Sequence, residues 1–321
     1  MDYELAKLGD NYYIKLDGSF QKIVSVNGKA PFWFVFPTIG KNGMSWGLFA
    51  SEDRQKRQCF NVVTESTRIK LNLKKLDYKE YVPFEEQEDL PEIEVYEKND
   101  YVYINANSCD CDDDAKLKTY YSKIKSVSHY ENIVIDVCDN GGGSDEVVKK
   151  IMGIVGVKNQ NYPCSMVDLA CRIDGNVLAK ERKKRIIERY KATLAENINI
   201  SFLRFGESNR IKETKKRIIV LQNRNSFSAA EDFNELFSNY KNVVFVGDNT
   251  AGMLHFGNIM HYRLRNSGID VRFGASLFKN LGGVNVEGKG LAPDIYFDKG
   301  NYSLDERLEI FCNKKLFKLF D

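Results

Sequence analysis

An α/β core behind a β-rich N-terminal region is the fold class to expect, and three features of the sequence point to it. Before residue 92, short apolar or aromatic runs are punctuated by glycines, the texture of short strands joined by turns. After residue 93, continuous apolar runs alternate with segments of helical spacing, the order that lays helices over a mainly parallel sheet. Hydrophobic residues make up 43% of the 321 and charged residues 29%, enough apolar content for a buried core and too much for a disordered chain. At roughly 100–200 residues per domain the length suggests two, with residues 1–92 as the β-rich part and residues 93–321 as the core.

In the first part, Tyr12–Leu16, Lys22–Val26, Phe32–Phe36 and Ile69–Leu73 read as strands between Gly18, Gly28, Gly40 and Gly43. The acidic, proline-flanked stretch Val82–Pro91 has no periodicity and reads as a linker. Beyond it, Tyr101–Ala106 reads as a strand. Ala115–Val127 carries Leu117, Tyr120, Tyr121 and Ile124 at helical spacing. Asn132–Val137 (NIVIDV) is a continuous apolar strand followed by a helix over Asp145–Val155. Arg217–Leu221 (RIIVL), a helix starting near Ser228 and marked by Phe233, Leu236 and Phe237, and Val243–Val246 repeat that pattern. Strand-like segments then run from Ile259 to Phe297, and an amphipathic helix over Leu304–Leu319 closes the chain. The basic stretch Lys180–Lys191 reads either as a solvated helix face with Ile186 and Ile187 turned inward or as a patch for acidic partners.

Composition removes several function classes. The formal net charge of +2 gives no reason to expect nucleic acid as a partner. Seven cysteines at irregular spacing contain no Cys-x-x-Cys pair, against a zinc ribbon or a thioredoxin-like site. Cys109-x-Cys111 beside three aspartates admits a metal reading, with a polar loop as the plainer one. Thiols in odd number suit a reducing compartment. The N-terminus has no basic-then-apolar signal pattern, and no run of 18 apolar residues occurs. A cytoplasmic protein without a membrane span is therefore expected, or an exported one whose signal has been trimmed.

Two segments could carry chemistry. In Asp136-Val-Cys-Asp-Asn-Gly-Gly-Gly143 a buried strand runs into Asn140 and three glycines before a helix. That arrangement places backbone N–H groups at the C-terminal edge of the sheet, where open α/β sheets hold their sites. It serves equally as a tight turn or as an anion-binding loop. A nucleotide site there lacks the Walker lysine and Ser/Thr, and GxGxxG is not matched. In Asn225-Ser-Phe-Ser-Ala-Ala-Glu-Asp-Phe233 an apolar strand leads into a helix beginning at Ser228. Ser228 and Glu231 form an S-x-x-E capping-box pattern. A nucleophilic serine would gain from the same helix N-terminus, whose N–H groups stabilise a developing oxyanion. Position alone does not separate the two.

The ensemble does. Asp136 with Asn140–Gly143, then Ser226, Ser228 and Glu231, then Gly247, Thr250 and Gly252, then Glu287, Gly288, Gly290, Pro293 and Asp294 follow in the order of D-x-x-x-N-G-G-G, S-x-S-A-A-E, G-x-x-T-x-G and E-G-x-G-x-x-P-D. This resembles the S41-type serine peptidases: C-terminal processing and tail-specific proteases and the tricorn core protease. The resemblance covers residues 93–321. It implies a ClpP/crotonase-like sheet with covering helices, and a small N-terminal domain of degenerate PDZ-like kind, which Ile23–Gly28 matches poorly. It further implies that Ser228 attacks the scissile carbonyl, with an oxyanion hole from the Ala229 N–H and a glycine N–H of Gly141 or Gly142. Glu231 falls on the family's glutamate in a capping or helix-orienting role.

Two positions depart from the pattern. The lysine that follows the last glycine of G-x-x-T-x-G and acts as general base in the processing branch is Met253 here. The arginine common in the first block is Cys138. The tricorn-like branch uses a histidine in a D-x-H context together with a downstream glutamate. Of His129, His255 and His261 none stands in such a context, whereas Glu287, 59 residues after Ser228, could be the glutamate. The base is then either a histidine on an N-terminal segment removed from this chain or a nonstandard one, for which His255, two residues beyond Met253, is the candidate, imidazole being the side chain that titrates near neutral pH. The function implied is hydrolysis of unstructured polypeptide near its C-terminus, needing no cofactor and no metal. The alternative is a peptide-binding protein of the same fold without turnover.

Overall fold

A computed structural model describes residues 3–40, 43–48, 59–72, 93–110, 114–157, 165–168, 214–238, 240–264, 266–279 and 286–317. The stretches Val82–Pro91 and Lys180–Lys191, together with Cys111, lie outside the described residues.

Thirteen of the described strands form one sheet, and β11 (Ser165–Asp168), β14 (Phe256–Arg263) and β15 (Asp270–Lys279) form a second. At the centre of the larger sheet β9 (Tyr101–Ala106), β10 (Asn132–Asp136), β12 (Arg217–Gln222) and β13 (Val243–Gly247) run parallel, with β16 (Ile295–Tyr296) continuing in the same sense. β8 (Ile93–Lys98) closes that edge antiparallel to β9. Parallel pairing requires crossovers, and helices supply them. α1 (Asp114–Ser126) links β9 to β10, α2 (Asp145–Ile154) follows β10, and α3 (Ala229–Phe237) links β12 to β13.

The strand period of two decides which residues face which layer. Val102, Ile104, Ile133, Ile135, Ile218 and Val220 point to the face covered by α1, α2 and α3, where Ile124, Ile151, Phe233 and Phe237 meet them. Tyr103, Val134, Ile219 and Leu221 point to the opposite face and pack on Phe311 and Phe317. These come from α4 (Leu304–Phe311) and α5 (Lys314–Phe317). Both faces of the central strands are buried, which is why NIVIDV and RIIVL read as unbroken apolar runs.

The α/β core with a β-rich N-terminal region is therefore present. β1 (Leu5–Leu8), β2 (Asn11–Leu16), β3 (Ser19–Val26), β4 (Val35–Gly40), β5 (Gly43–Leu48), β6 (Cys59–Thr64) and β7 (Arg68–Asn72) pair antiparallel around Ile14, Val26, Val35, Phe60 and Val62. β4 then pairs in parallel with β16 at Thr38 and Tyr296, so the N-terminal strands continue the core sheet.

Two expectations need correction. Phe32–Phe36 is not one strand. Pro31–Trp33 forms a single 3-10 turn, which Pro31 initiates with its fixed φ, and the strand begins at Val35. The closing helix is broken as well. Asn313 donates from Nδ2 to the carbonyls of Glu309 and Ile310 and accepts the Leu316 N–H, ending α4 and starting α5. No described helix is long and apolar enough to cross a membrane.

Candidate active site

β10 and β12 are neighbours in register, Asp136 opposite Leu221, so the loops that leave their C-terminal ends lie side by side. Hydrogen bonds tie these loops together. The Val137 N–H donates to Leu221 O, the Ser226 hydroxyl donates to Val137 O at 2.7 Å, and the Phe227 N–H donates to Asn140 O at 3.0 Å. Asp139 accepts from the side-chain amides of Asn223 and Asn225 at 2.8 and 3.1 Å. The glycine loop and the serine loop thus form one unit.

Three serines stand at the N-caps of described helices, and two are ordinary. Ser144 (φ −93°, ψ 126°) accepts from the Glu146 N–H, and Ser303 (φ −63°, ψ 166°) accepts from the Glu306 N–H. Both have the extended backbone usual for an N-cap. Ser228 has φ 50° and ψ −116°. A positive φ at a residue with a β-carbon costs about 1–3 kcal/mol and persists only where its surroundings enforce it. Ser228 thus stands at a strand-to-helix turn in a backbone conformation that the two other serine caps do not share.

Glu231 holds that turn. Its carboxylate is buried and accepts four hydrogen bonds: the Ser228 N–H at 3.1 Å, the Thr250 hydroxyl at 2.5 Å, the Gly252 N–H at 2.9 Å and the Met253 N–H at 2.8 Å. Burial raises its pKa, opposed by these four donors. Thr250 in turn accepts the Leu291 N–H at 2.7 Å. Glu231 therefore fastens the serine turn to the segment where Met253 stands.

The glycines differ in what they do. Gly142 is buried against the serine turn, where a β-carbon on it would lie 2.8 Å from Phe227 O, 3.0 Å from Ser228 Cβ and 3.3 Å from Ala229 N. Its N–H is taken by Asn140 Oδ1 at 2.8 Å. Asn140 is itself fixed by donating to Ala106 O at 2.9 Å. Gly141 is exposed. Ala229 is the first residue of α3, so its N–H has no acceptor within the helix. Gly143 lies against β9's exit, where a β-carbon would come within 2.3 Å of Cys109 C.

A charge cluster centred on the buried Asp136 adjoins the glycine loop. Asp136 accepts from the Tyr103 hydroxyl and from the Cys138 N–H at 2.9 Å, and Lys299 Nζ lies 3.3 Å from both Asp136 Oδ2 and Asp139 Oδ2. Burial would raise the Asp139 pKa, but Lys299 and the two asparagine amides prevail and lower it. Burial also pushes the Cys109 thiol up to about 12 and raises Cys138, so neither sulfur is a thiolate at neutral pH.

His255 and Glu287 come together. The His255 backbone N–H donates to Glu287 Oε2 at 3.0 Å, and the Val286 N–H donates to His255 Nε2 at 3.2 Å. The ring nitrogen facing Val286 is thus an acceptor, and a neutral ring carries its proton on Nδ1. Met253 is 52% exposed. His261 lies in β14 (Phe256–Arg263) and His129 on the turn after α1, its Nδ1 3.0 Å from Ser126 O. Sequence reading did not single out Lys299, which follows the last recognised block and reaches Asp136 only through the fold.

The family model described as Peptidase family S41 matches residues 100–297. No curated protein matches the chain in sequence. Similar solved structures include a lipoprotein from Streptococcus agalactiae, 16% identical over 68% of this chain and 69% of that one with a TM-score of 0.43. The photosystem II D1 C-terminal processing protease is 15% identical over 97% and 74%, with a TM-score of 0.41. Mature CPAF complexed with lactacystin is 14% identical over 99% and 82%, with a TM-score of 0.45.

Proposed function

The chain belongs to peptidase family S41, and from that premise we propose that it is a serine peptidase acting on unstructured polypeptide, with Ser228 as nucleophile. The observation that carries the reading is the backbone of Ser228, strained at φ 50° where Ser144 and Ser303 are relaxed. Non-glycine residues held in sparsely populated backbone regions cluster at active sites.

In this reading Ser228 Oγ attacks the peptide carbonyl, and the oxygen that gains charge lies between two backbone N–H donors. Ala229 supplies one. Gly141 supplies the other, because the Gly142 N–H is committed to Asn140; Gly142 supplies the space that lets the two loops meet. A donor of this type is worth ~100–1000-fold in rate. The proton of Ser228 passes to His255, anchored through its backbone to Glu287, once the imidazole exchanges the Val286 N–H for the serine. Cleavage near a C-terminus and binding of the substrate as an added strand are the finer parts of the proposal.

A second reading, peptide binding without turnover, is favoured by the engaged Nε2 of His255 and by Met253 at the position of the processing branch's lysine. Two measurements separate them. A fluorophosphonate probe labels Ser228 and casein is hydrolysed if the first reading holds, and Ser228→Ala abolishes both. Absence of labelling in the folded wild-type chain, or undiminished hydrolysis by Ser228→Ala, rejects the nucleophile.

A further inference from the structure

The peptidase reading leaves the half-buried ammonium of Lys299 without a task. Lys299 sits in the Lys299–Asn301 3-10 turn just beyond β16, a turn capped by Asp298. Its side chain is only 15% exposed. Three atoms of the segment that leads into the glycine loop surround its ammonium group: Asp136 Oδ2 and Asp139 Oδ2, both at 3.3 Å, and Cys138 O at 3.5 Å. Cys138 and Lys299 are 161 residues apart in sequence, so this contact exists only in the folded chain.

The two aspartates have distinct connections. Asp136 is fully buried at the end of β10 and holds Tyr103 and the Cys138 N–H. Asp139, at φ 62°, faces Lys299 with Oδ2 and holds Asn223 and Asn225 of the serine loop with Oδ1. The Asp139 N–H also donates to Asn223 Oδ1 at 3.0 Å. One ammonium thus offsets half the charge of a pair of carboxylates that flank the start of the glycine loop, and one of those carboxylates reaches directly to the loop bearing Ser228. Uncompensated, two negative charges beneath this turn would oppose the negative charge that develops on the substrate oxygen, since preorganised electrostatics is the main contribution of such a site. Repulsion between the carboxylates would also shift the loop, and a displacement near 1 Å costs on the order of 100-fold.

We propose that Lys299 is a positioning residue for the oxyanion loop, acting through Asp136 and Asp139 and touching no substrate. The proposal rests on Ser228 being the nucleophile, and the first measurement tests that separately: wild-type protein is treated with a fluorophosphonate probe and the labelling rate at Ser228 is recorded. No labelling overturns both the nucleophile and the positioning role. With wild-type labelling established, Lys299→Met is expected to lower the labelling rate and kcat on a flexible substrate by roughly 100-fold with KM little changed. Lys299→Arg, which restores the charge, recovers most of the rate. The double variant Lys299→Met with Asp139→Asn removes one cation and one anion while keeping an acceptor for Asn223 and Asn225, and it recovers part of the rate. A Lys299→Met protein that labels at the wild-type rate overturns the proposal. So does a double variant no faster than the single one. If the single variant does not fold, the double variant decides: labelling supports the compensation of charge, and its absence rejects it.

Discussion

The Ser228 N–H donates to the Glu231 carboxylate at 3.1 Å, and the same carboxylate takes the Met253 N–H at 2.8 Å. One buried anion thus spans from the strained serine to the residue that replaces the processing branch's lysine. The glutamate half of a capping box has been extended into a brace, since Thr250 and Gly252 complete the set of four donors. This makes Glu231 a structural charge whose removal deprives four donors of their acceptor.

Glu231→Gln is isosteric, but its new NH2 group must face at least one donor that now meets a carboxylate oxygen. Each buried donor left unpaired costs about 1–3 kcal/mol. A loss of about 3 kcal/mol is expected, read as a lower denaturant midpoint at unchanged m-value, together with slower fluorophosphonate labelling. A variant as stable as the wild type would show that the brace is dispensable.

Ser228→Gly should separate stability from activity in the opposite direction. Glycine adopts φ 50° without the ~1–3 kcal/mol strain, against an unfolded-state entropy penalty of ~0.4–1 kcal/mol. The variant is expected to be inactive yet about 1 kcal/mol more stable. Equal destabilisation of Ser228→Gly and Ser228→Ala would mean that the turn is not strained.

Much of this site can be read from sequence, and the remainder is missing for identifiable reasons. The strand-to-helix step at Ser228 is legible because RIIVL is unbroken and Phe233, Leu236 and Phe237 recur at helical spacing. The strain is not, because S-x-x-E also precedes α4, where Ser303 and Glu306 make a relaxed capping box. What differs is tertiary: Ser226 is held by Val137, 89 residues away. The same applies to Lys299, whose partners lie in β10's exit. Local misreadings had local causes, Pro31 turning the chain before β4 and Asn313 competing for α4's last carbonyls.

Gly142→Ala should cost activity. A β-carbon there meets Phe227 O at 2.8 Å and Ser228 Cβ at 3.0 Å, at a φ of +94° that a side chain resists. The serine turn must move to admit it. A drop in kcat/KM on the order of 100-fold is expected, with the labelling rate at Ser228 falling in parallel. An unchanged labelling rate would place Gly142 outside the site.

Asp139 governs an acid limb. Its folded pKa lies below the ordinary value of 3.8 because Lys299, Asn223 and Asn225 outweigh burial. The unfolded chain therefore takes up the proton first, and the stabilisation present above pH 3.8 is lost as pH falls through the lower folded value. With the side chain 48% exposed, screening keeps this limb shallow. Denaturant midpoints measured between pH 5 and pH 3 should fall less steeply for Asp139→Asn than for the wild type. Parallel curves would assign the acid sensitivity to other carboxylates.

The proposed mechanism gives His255 a proton to accept, and the fold gives it a bracing contact. Its Nε2 accepts the Val286 N–H, and its backbone donates to Glu287. Alanine at this position would remove both an imidazole and a strut, so the informative substitution is His255→Gln, whose side-chain oxygen can still accept from Val286. If the imidazole takes the proton of Ser228, His255→Gln keeps its melting temperature and loses ~100–10,000-fold in kcat, the range for a general base. Retention of both activity and stability would leave His255 as a strut between Met253 and Glu287. Proton acceptance from Ser228 would then have to come from another group, while the strained turn and its Glu231 brace would stand unaltered.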